Sequence, residues 1–415
     1  MSLTLSALTL LPFVAPVPAP QDDPDVQSRL RALEAENAEL AKRIDALAAT
    51  QEVFELGGLT PPLGESAHGL GPAASKVYGI DEGISIGGYG EFLYEDQQGG
   101  MDELDALRGV LYFGYRFNEK WLLNTEIEIE HADEIFLEFA HLDYLHDPVL
   151  NGRVGLVLHP MGFINEQHEP TTYLGAQRPL TESRIIPSTW RENGAGVFGE
   201  TDTLAYRAYV VNGFDGMDFT AAGLRGGRQK GSQALADDLA FTGRVDYVGQ
   251  PGLVAGLSGY VGDSGQEQMG LGGTGTTILS AHAEWKADGL WLRGLAAFAT
   301  VDDVAELNAA NGFTGTDSVG EELDGFYAEA GYDVLPLLSD DPGEGELYPY
   351  VRFESIDTQA EVPSGFAASP NTDLDVWTLG LHYKPIANIV FKIDYQDFDG
   401  GSTLDRWNIQ VGYSF

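Results

Sequence analysis

The chain ends on the stretch WNIQVGYSF, residues 407–415, in which apolar and polar side chains alternate. The apolar face of an extended strand here comprises Trp407, Ile409, Val411, Tyr413 and Phe415. The opposite face carries small and polar side chains, because successive residues of a strand point to opposite sides. A strand that keeps an apolar face to its last residue is typical of a sheet whose outer surface meets lipid.

The same alternation recurs from Gly83 onward in segments of about ten residues, each bounded by turn-forming residues. The clearest segments are 108–117, 121–130, 240–247, 279–286, 348–354, 376–384 and 389–395. Their connections alternate between short and long, as in outer-membrane barrels. Counting the segments predicts an all-β fold over 83–415, a transmembrane antiparallel β-barrel of about 16 strands. A soluble β-protein with a highly charged exterior is the alternative that alternation alone leaves open.

The composition limits what else the chain could be. There are 64 Asp and Glu residues against 23 Lys and Arg, a net charge of −41, which argues against nucleic acid as a partner. The chain has no cysteine, which excludes disulfides and thiolate metal sites. No later apolar run reaches the ~18 residues of a membrane-spanning helix, so any membrane span must consist of strands. No cofactor is predicted.

The residues before the barrel divide into three predicted parts. An apolar run followed by small residues predicts a signal peptide over 1–19, although a basic start is missing. Residues 24–50 show a heptad pattern, which predicts a short periplasmic α-helical coiled coil, with a lone amphipathic helix as the alternative. The heptad positions are Leu30, Leu33, Asn37, Leu40, Ile44 and Leu47. Residues 51–82 are rich in Gly, Pro and Ala, which is typical of a linker.

The connection at 159–193 is the most unusual one, because loops beyond ~12–15 residues are usually functional or disordered. It contains Pro160, Pro170, Pro179 and Pro187 together with several aromatic residues, a composition that favours an ordered loop. In a barrel of this size the place to order such a loop is the lumen. We therefore expect the loop to fold inward and to narrow the passage.

Three stretches resemble bacterial trimeric outer-membrane porins, specifically the phosphate-selective porin O/P type and its uncharacterised relatives with an N-terminal coiled coil. They are GISIGGYGEF at 83–92, NEQHEPTTYLGAQRPLTESRIIPSTWRENG at 165–194, and the final Y-x-F of Tyr413 and Phe415. The resemblance implies a homotrimer with one water-filled pore per subunit and an inward loop that sets size and charge selectivity. It also implies that Tyr413 and Phe415 form the signal that the barrel-assembly machinery reads. The chain departs from the phosphate-selective pattern, since its loop holds no Lys where those porins place a Lys cluster.

The candidate pore residues are the charged side chains of the loop and those that strand parity places inside. In the loop they are Arg178, Arg184, Arg191, Glu166, Glu169 and Glu182. On the strands they are Arg108, Arg116, Glu126, Glu128, Arg207, Arg244 and Arg352. Opposed basic and acidic residues would produce a transverse field that sieves solutes by charge and orientation. The alternative is that the loop arginines pair with loop glutamates and only hold the shape of the loop.

The sequence thus predicts an outer-membrane porin for passive diffusion of small hydrophilic solutes or ions. An alternative from another class is a structural anchor in outer-membrane lipid, whose coiled coil tethers to peptidoglycan or another periplasmic partner. An enzyme is not expected, because no set of Ser, His and acidic residues presents itself on the lipid face of the predicted barrel. A metal site is not expected either, because Glu166, His168 and Glu169 lack partners at a fixed spacing.

Overall fold

A computed structural model of the protein describes residues 24–52, 62–339, 341 and 343–415, and the chain divides into a helical unit and a barrel unit. The helical unit is the helix α1, Pro24–Glu52, which confirms the helix expected over 24–50. Among the described residues, no helix is long and apolar enough to cross a membrane.

The heptad side chains of α1 that the structure describes are exposed, namely Leu33, Asn37, Leu40 and Ile44. The side chains of Leu30 and Leu47 lie outside the described residues, as does the predicted signal peptide over 1–19. The association of α1 into a coiled coil stays a prediction.

The barrel unit is a closed antiparallel sheet of sixteen strands, as predicted. The strands are β1 Gly83–Gln97, β2 Glu103–Arg116, β3 Trp121–Glu130, β4 Glu134–Asp147, β5 Leu150–Leu158, β6 Arg191–Glu200, β7 Leu204–Asn212, β8 Leu239–Gln250, β9 Leu253–Asp263, β10 Gly275–Ala287, β11 Leu290–Val301, β12 Glu322–Tyr332, β13 Glu346–Glu361, β14 Asp373–Ile386, β15 Ile389–Asp399 and β16 Arg406–Ser414. Each strand pairs with its neighbours in sequence, and β16 pairs with β1 to close the sheet. Closure leaves no unpaired sheet edge.

The two ends of the barrel differ in the length of their connections. The terminal end, where Gly83 and Ser414 lie, has the connections 117–120, 148–149, 201–203, 251–252, 288–289, 333–345 and 387–388. The opposite end, here the loop end, has the connections 98–102, 131–133, 159–190, 213–238, 264–274, 302–321, 362–372 and 400–405. The expected asymmetry is therefore present, with one long connection, 333–345, at the terminal end.

Short helices lie in several connections. The helix α2, Val304–Asn311, follows β11, and α3, Leu335–Leu338, follows β12. Single helical turns occur at Ala74–Gly79, Pro170–Thr172, Thr181–Ile185, Gly216–Asp218, Arg225–Gly227 and Gln268–Gly270.

The strands alternate as the sequence predicts, with an apolar exterior and a polar interior. In β16, Trp407 and Ile409 are exposed on the outside, whereas Asn408 and Gln410 are buried on the inside. The chain end continues the pairing, because the Phe415 amide donates to the Gly88 carbonyl at 2.8 Å. Exposed aromatic side chains ring the terminal end, at Trp121, Tyr247, Trp285, Tyr332 and Tyr383. Such a ring is typical of a barrel at a membrane–water boundary.

Strand β4 contains a break in the alternation of inward and outward side chains. Glu138 and His141 are an odd number of residues apart, yet both are buried in the interior. The register between β3 and β4 shifts where Glu126 pairs with Phe139 and Ile127 pairs with Leu137. This bulge inserts one residue, and an inserted residue returns the following side chains to the same face.

The stretch before β1 differs from the predicted linker. Of the 51–82 region, the described residues 66–79 form a compact segment with a helical turn at Ala74–Gly79, and we call it the lumen segment. Its side chains Leu70, Ala73 and Val77 are buried. The segment lies inside the barrel, against the interior faces of β1, β2 and β3.

Candidate functional site

The connection 159–190 is here called the inner loop. It ends three residues earlier than the predicted 159–193, because β6 begins at Arg191. It leaves β5 and reaches the far wall. There the Thr171 and Ser414 hydroxyl oxygens lie 3.2 Å apart, and the Ala176 amide donates to Asp394 at 2.7 Å. These contacts place the loop across the interior of the barrel.

Glu182 braces the inner loop. Its carboxylate accepts hydrogen bonds from the backbone amides of Phe163 at 2.6 Å and Ile164 at 2.8 Å. The Tyr327 hydroxyl on β12 donates to the same carboxylate at 2.6 Å. Glu182 therefore joins two distant parts of the loop to the wall and is fully occupied by the protein itself.

Glu166 joins the loop to a charged cluster on β7 and β8. Its carboxylate lies 2.8 Å from Arg207 and 3.6 Å from Arg244. Asp246 lies 3.1 Å from Arg207 and 2.7 Å from Arg244, and His282 contacts Asp246 at 2.8 Å. Three predicted pore residues thus meet in one network in which each guanidinium has two carboxylate neighbours.

Two further wall arginines, Arg352 and Arg108, are also paired with acids on the same or adjacent strands. Arg352 lies 3.0 Å from Glu354 and 3.8 Å from Glu329. The contacts of Arg108 are Glu91 at 3.5 Å, Glu128 at 3.3 Å and Glu130 at 3.6 Å. Residues opposite one another on adjacent strands share a face at short range, which favours such pairs. Basic and acidic residues therefore interleave along the wall, which differs from the expected separation into opposed charges.

The loop arginines do not pair with loop glutamates. Arg191 forms its ion pair with Glu138 of β4 at 2.7 Å. Arg178 and Arg184 are half-buried, and neither has a carboxylate within ion-pair distance among the described residues. Among the described residues of the loop, these two guanidiniums are basic groups without a carboxylate partner.

Arg116, Glu126 and Glu169 have structural partners. Arg116 donates to the carbonyls of Tyr78 and Ile80 at 2.9 and 2.8 Å, so it holds the backbone around the end of the lumen segment. Glu126 lies 3.1 Å from His168 of the inner loop. Sequence parity correctly points Glu126 inward, but it does not show that Arg116 would bind backbone.

Glu169 connects the inner loop to the lumen segment. One carboxylate oxygen accepts from the amides of Ala73 at 2.8 Å and Ala74 at 3.3 Å. Burial raises the pKa of Glu169 to about 7, although the two amides act in the opposite direction. Since Glu166, His168 and Glu169 bind separate partners, they do not converge on one point, and no metal-binding group of three acids or histidines occurs among the described residues.

Two further sets of wall contacts hold the lumen segment and the inner loop, and their residues were not among the predicted pore residues. Arg153 and Asp143 face each other across β5 and β4 at 2.9 Å, and the Tyr78 hydroxyl donates to Asp143 at 2.7 Å. Lys392 donates to the Gly175 carbonyl at 2.9 Å. The alternation of β4, β5 and β15 places these charges inside, so parity alone could have identified the wall residues as a candidate set.

The interior is tightly filled. Wall side chains such as Glu126, Arg352, Asp394 and Gln410 are at most 1 % exposed. A cavity of about 200 Å³ lies near the terminal end. Its lining includes His68, Phe163, Gln167, Arg207, Arg244 and Asp246. The structure thus contains narrow polar space at this level, bounded by the inner loop and the lumen segment.

Comparison with known proteins supports the fold. No model of a known protein family matches the chain. An uncharacterised protein of Aquifex aeolicus (strain VF5) is 38% identical over 368 residues, which are 84% of this chain and 83% of that protein. The chain is similar in structure to OmpF of Salmonella typhi in complex with daunomycin, with a TM-score of 0.53 and 13% identity over 80% of this chain and 97% of that one.

Two other solved structures have the same architecture. An anion-selective porin from Comamonas acidovorans gives a TM-score of 0.51 at 13% identity, covering 81% of this chain and all of that one (100%). The outer membrane channel DcaP of Acinetobacter baumannii gives 0.52 at 12% identity, covering 81% of this chain and 98% of that one. At such identities the likeness establishes the fold and leaves the solute open.

Proposed function

The chain belongs to the same family as the uncharacterised Aquifex aeolicus protein, and we propose that it is an outer-membrane porin for passive diffusion of small hydrophilic solutes or ions. The observation that carries the proposal is a closed sixteen-strand barrel whose charged interior is crossed by the inner loop. In this proposal the chain acts as a passage and not as an enzyme.

The exterior supports a place in the outer membrane. Large apolar side chains are exposed on strand after strand, for example Leu111, Leu257, Leu279 and Leu379. A contiguous apolar exterior of this extent is unfavourable in water and favourable in hydrocarbon. Like the outer membrane channel DcaP, the chain would place its barrel in an outer membrane.

The tight interior favours small solutes, and the inner loop is the proposed constriction. Arg178 and Arg184 are the proposed solute-contacting groups, because their guanidinium charges are not paired with carboxylates among the described residues. A local positive field of this kind favours anions over cations near the loop. The phosphate-selective O/P subtype is not part of the proposal, because the loop has no Lys cluster.

The exposed heptad residues of α1 favour a second role beside the channel. Leu33, Leu40 and Ile44 are exposed apolar side chains on a helix of 29 residues. Their burial between copies would give a homotrimer with a periplasmic coiled coil, or a tether to peptidoglycan. Tyr413 and Phe415, exposed at the end of the apolar face, are the proposed signal for the barrel-assembly machinery.

Planar-bilayer recording tests the channel proposal. Purified protein should give discrete open-channel currents, and replacing 165–185 by a short Gly/Ser linker should raise the single-channel conductance by about twofold or more. Replacing the exposed turn 334–339 in the same way is the matched control and should leave conductance unchanged. A folded protein that carries no current in either form would contradict the channel and favour the anchor.

Reversal potentials in asymmetric KCl test the charge preference. The double variant Arg178→Ala with Arg184→Ala should shift permeability toward K⁺, because it removes two positive charges from the constriction. Lys120→Ala removes one positive charge from an exposed turn at the terminal end and should cause no shift. Equal reversal potentials in all three proteins would show that these arginines do not select.

A further inference from the structure

The lumen segment lies against β1, β2 and β3 in the barrel interior, near the terminal end. It is compact in itself, because the Ser75 hydroxyl accepts from the Ala67 amide at 2.9 Å and donates to the Leu70 carbonyl at 3.1 Å. His68 packs against Tyr78 and Phe198 with ring centroids 4.6 and 5.0 Å apart. This part of the lumen is therefore filled by a folded element that precedes the barrel in sequence.

Wall side chains bind backbone and side-chain groups of the lumen segment. Asn124 on β3 donates to the Ala74 carbonyl at 2.9 Å, next to the Ala73 and Ala74 amides that donate to Glu169. At the other end of the segment, Arg153 donates to the Tyr78 hydroxyl at 2.9 Å. Buried backbone groups need such partners, so these contacts stabilise the segment in the lumen and not outside it.

The wall is also shaped to receive the segment. A Cβ atom on Gly87 of β1 would lie 2.7 Å from the Ala73 carbonyl oxygen, and one on Gly114 of β2 would lie 2.6 Å from the Val77 Cβ. Both distances are shorter than any normal carbon contact, so any larger residue at either position would displace the segment. The two wall glycines, which leave room for the segment, and the hydrogen bonds to it are independent signs of a docking site.

We infer that the lumen segment is an internal plug that, with the inner loop, sets the size limit of the passage. The inference rests on the proposed channel function. The plug lies at the terminal end and borders the polar cavity beside Arg207 and Arg244. Release of the plug from Asn124, Arg153 and Glu169 would join that cavity to the space that the plug vacates and admit larger solutes.

Thiol labelling of the full chain tests the docked position, and the absence of cysteine from the natural sequence makes each introduced thiol unique. Ala74→Cys places the thiol in the plug, where the native side chain is 3% exposed, and Glu65→Cys places a control thiol at an exposed position. A charged methanethiosulfonate reagent should label the buried position at least about tenfold more slowly. Equal rates would overturn the plug whether or not the protein conducts.

Conductance tests the effect of the plug. Replacing 66–79 by a Gly/Ser sequence of equal length should raise single-channel conductance by about twofold or more and let larger neutral polymers enter the pore. The same replacement at 334–339 is the control for loosening a segment at the same end. Heat-modifiable gel mobility checks that both barrels are folded.

The outcomes separate the plug from the channel. If the wild type conducts and the 66–79 replacement conducts equally, the plug is wrong and the channel stands. If the wild type carries no current and the replacement conducts, the plug is supported and blocks the passage in the wild type. If folded barrels of both proteins stay silent, the channel and the plug are both wrong.

Discussion

The inner loop and the lumen segment share one lumen but are held there in different ways. The inner loop has an internal brace in addition to its wall contacts, since the Glu182 carboxylate accepts hydrogen bonds from two amides of the same loop and from one wall hydroxyl. The lumen segment relies on groups from outside itself, such as Asn124, and on the space left by Gly114. The inner loop should therefore lose its fixed position when one of its own side chains is removed. The lumen segment should lose its docked position when the wall is changed.

The largest expected effect is that of Glu182→Ala. The substitution leaves two buried amides and the Tyr327 hydroxyl without partners, and each unpaired group costs ~1–3 kcal/mol. The inner loop should lose its fixed position, so single-channel recording should show noisy currents and a conductance increase of about twofold or more.

Glu306→Ala is the matched control, because Glu306 is an exposed carboxylate in another loop-end connection. It should leave the current levels and their noise as in the wild type. If Glu182→Ala also leaves them unchanged, the loop does not depend on its internal brace, and the contrast with the lumen segment is lost.

A smaller effect is expected from Gly114→Ala, which adds one methyl group to the wall beneath Val77. Overpacking of this kind typically costs ~1–3 kcal/mol, and the lumen segment must move to relieve it. In the Ala74→Cys background, the labelling rate should rise by about threefold or more. The inner loop should keep its effect on conductance, because it does not contact this position.

Gly109→Ala is the control on the same strand, because a Cβ at Gly109 meets no atom within 4 Å. It should leave the labelling rate of Ala74→Cys unchanged. Equal labelling in the two glycine variants would show that the fit of the wall does not hold the segment.

The same contrast explains which parts of the molecule the sequence reveals. Strand alternation is a local signal, so the barrel, its sixteen strands and the inward direction of Glu126 and Arg352 follow from it. The inner loop is also visible, because 159–190 is long and has its own ordering residues. The exception among the strands is β4, where a bulge at Glu138 breaks the period without a mark in the sequence.

The lumen segment cannot be found in this way, because its order comes from contacts distant in sequence. Its glycines, prolines and alanines have the composition of a linker, and the residues that hold it belong to β2, β3, β5 and the inner loop. Arg116 is assigned to the pore by parity for the same reason, since nothing near it in sequence shows that backbone carbonyls occupy the lumen beside it. Propensity is a weak guide where tertiary contacts decide.

The smallest expected effect concerns pH and the carboxylate that joins the two regions. The pKa of Glu169 is about 7 in the folded protein, above its ordinary value of 4.5, because the group is buried. Glu169 therefore holds its proton more tightly when the lumen segment is docked than when it is released, so protonation of Glu169 favours docking. This contribution is fully present below the ordinary pKa of 4.5 and is lost as the pH rises through about 7. The neighbouring charges are His168, Glu126 and Lys76.

The ratio of the labelling rates of Ala74→Cys and Glu65→Cys removes the pH dependence that the two thiols share, and Glu169→Gln isolates the part that depends on this carboxylate. Between about pH 5 and pH 8 the ratio should rise by up to about threefold with Glu169 present. In Glu169→Gln the amide oxygen still accepts from Ala73, but no proton is gained or lost, so the ratio should stay flat. A ratio that rises equally in both proteins would assign the pH response to another group, with His168 the first to test because it lies 3.1 Å from Glu126.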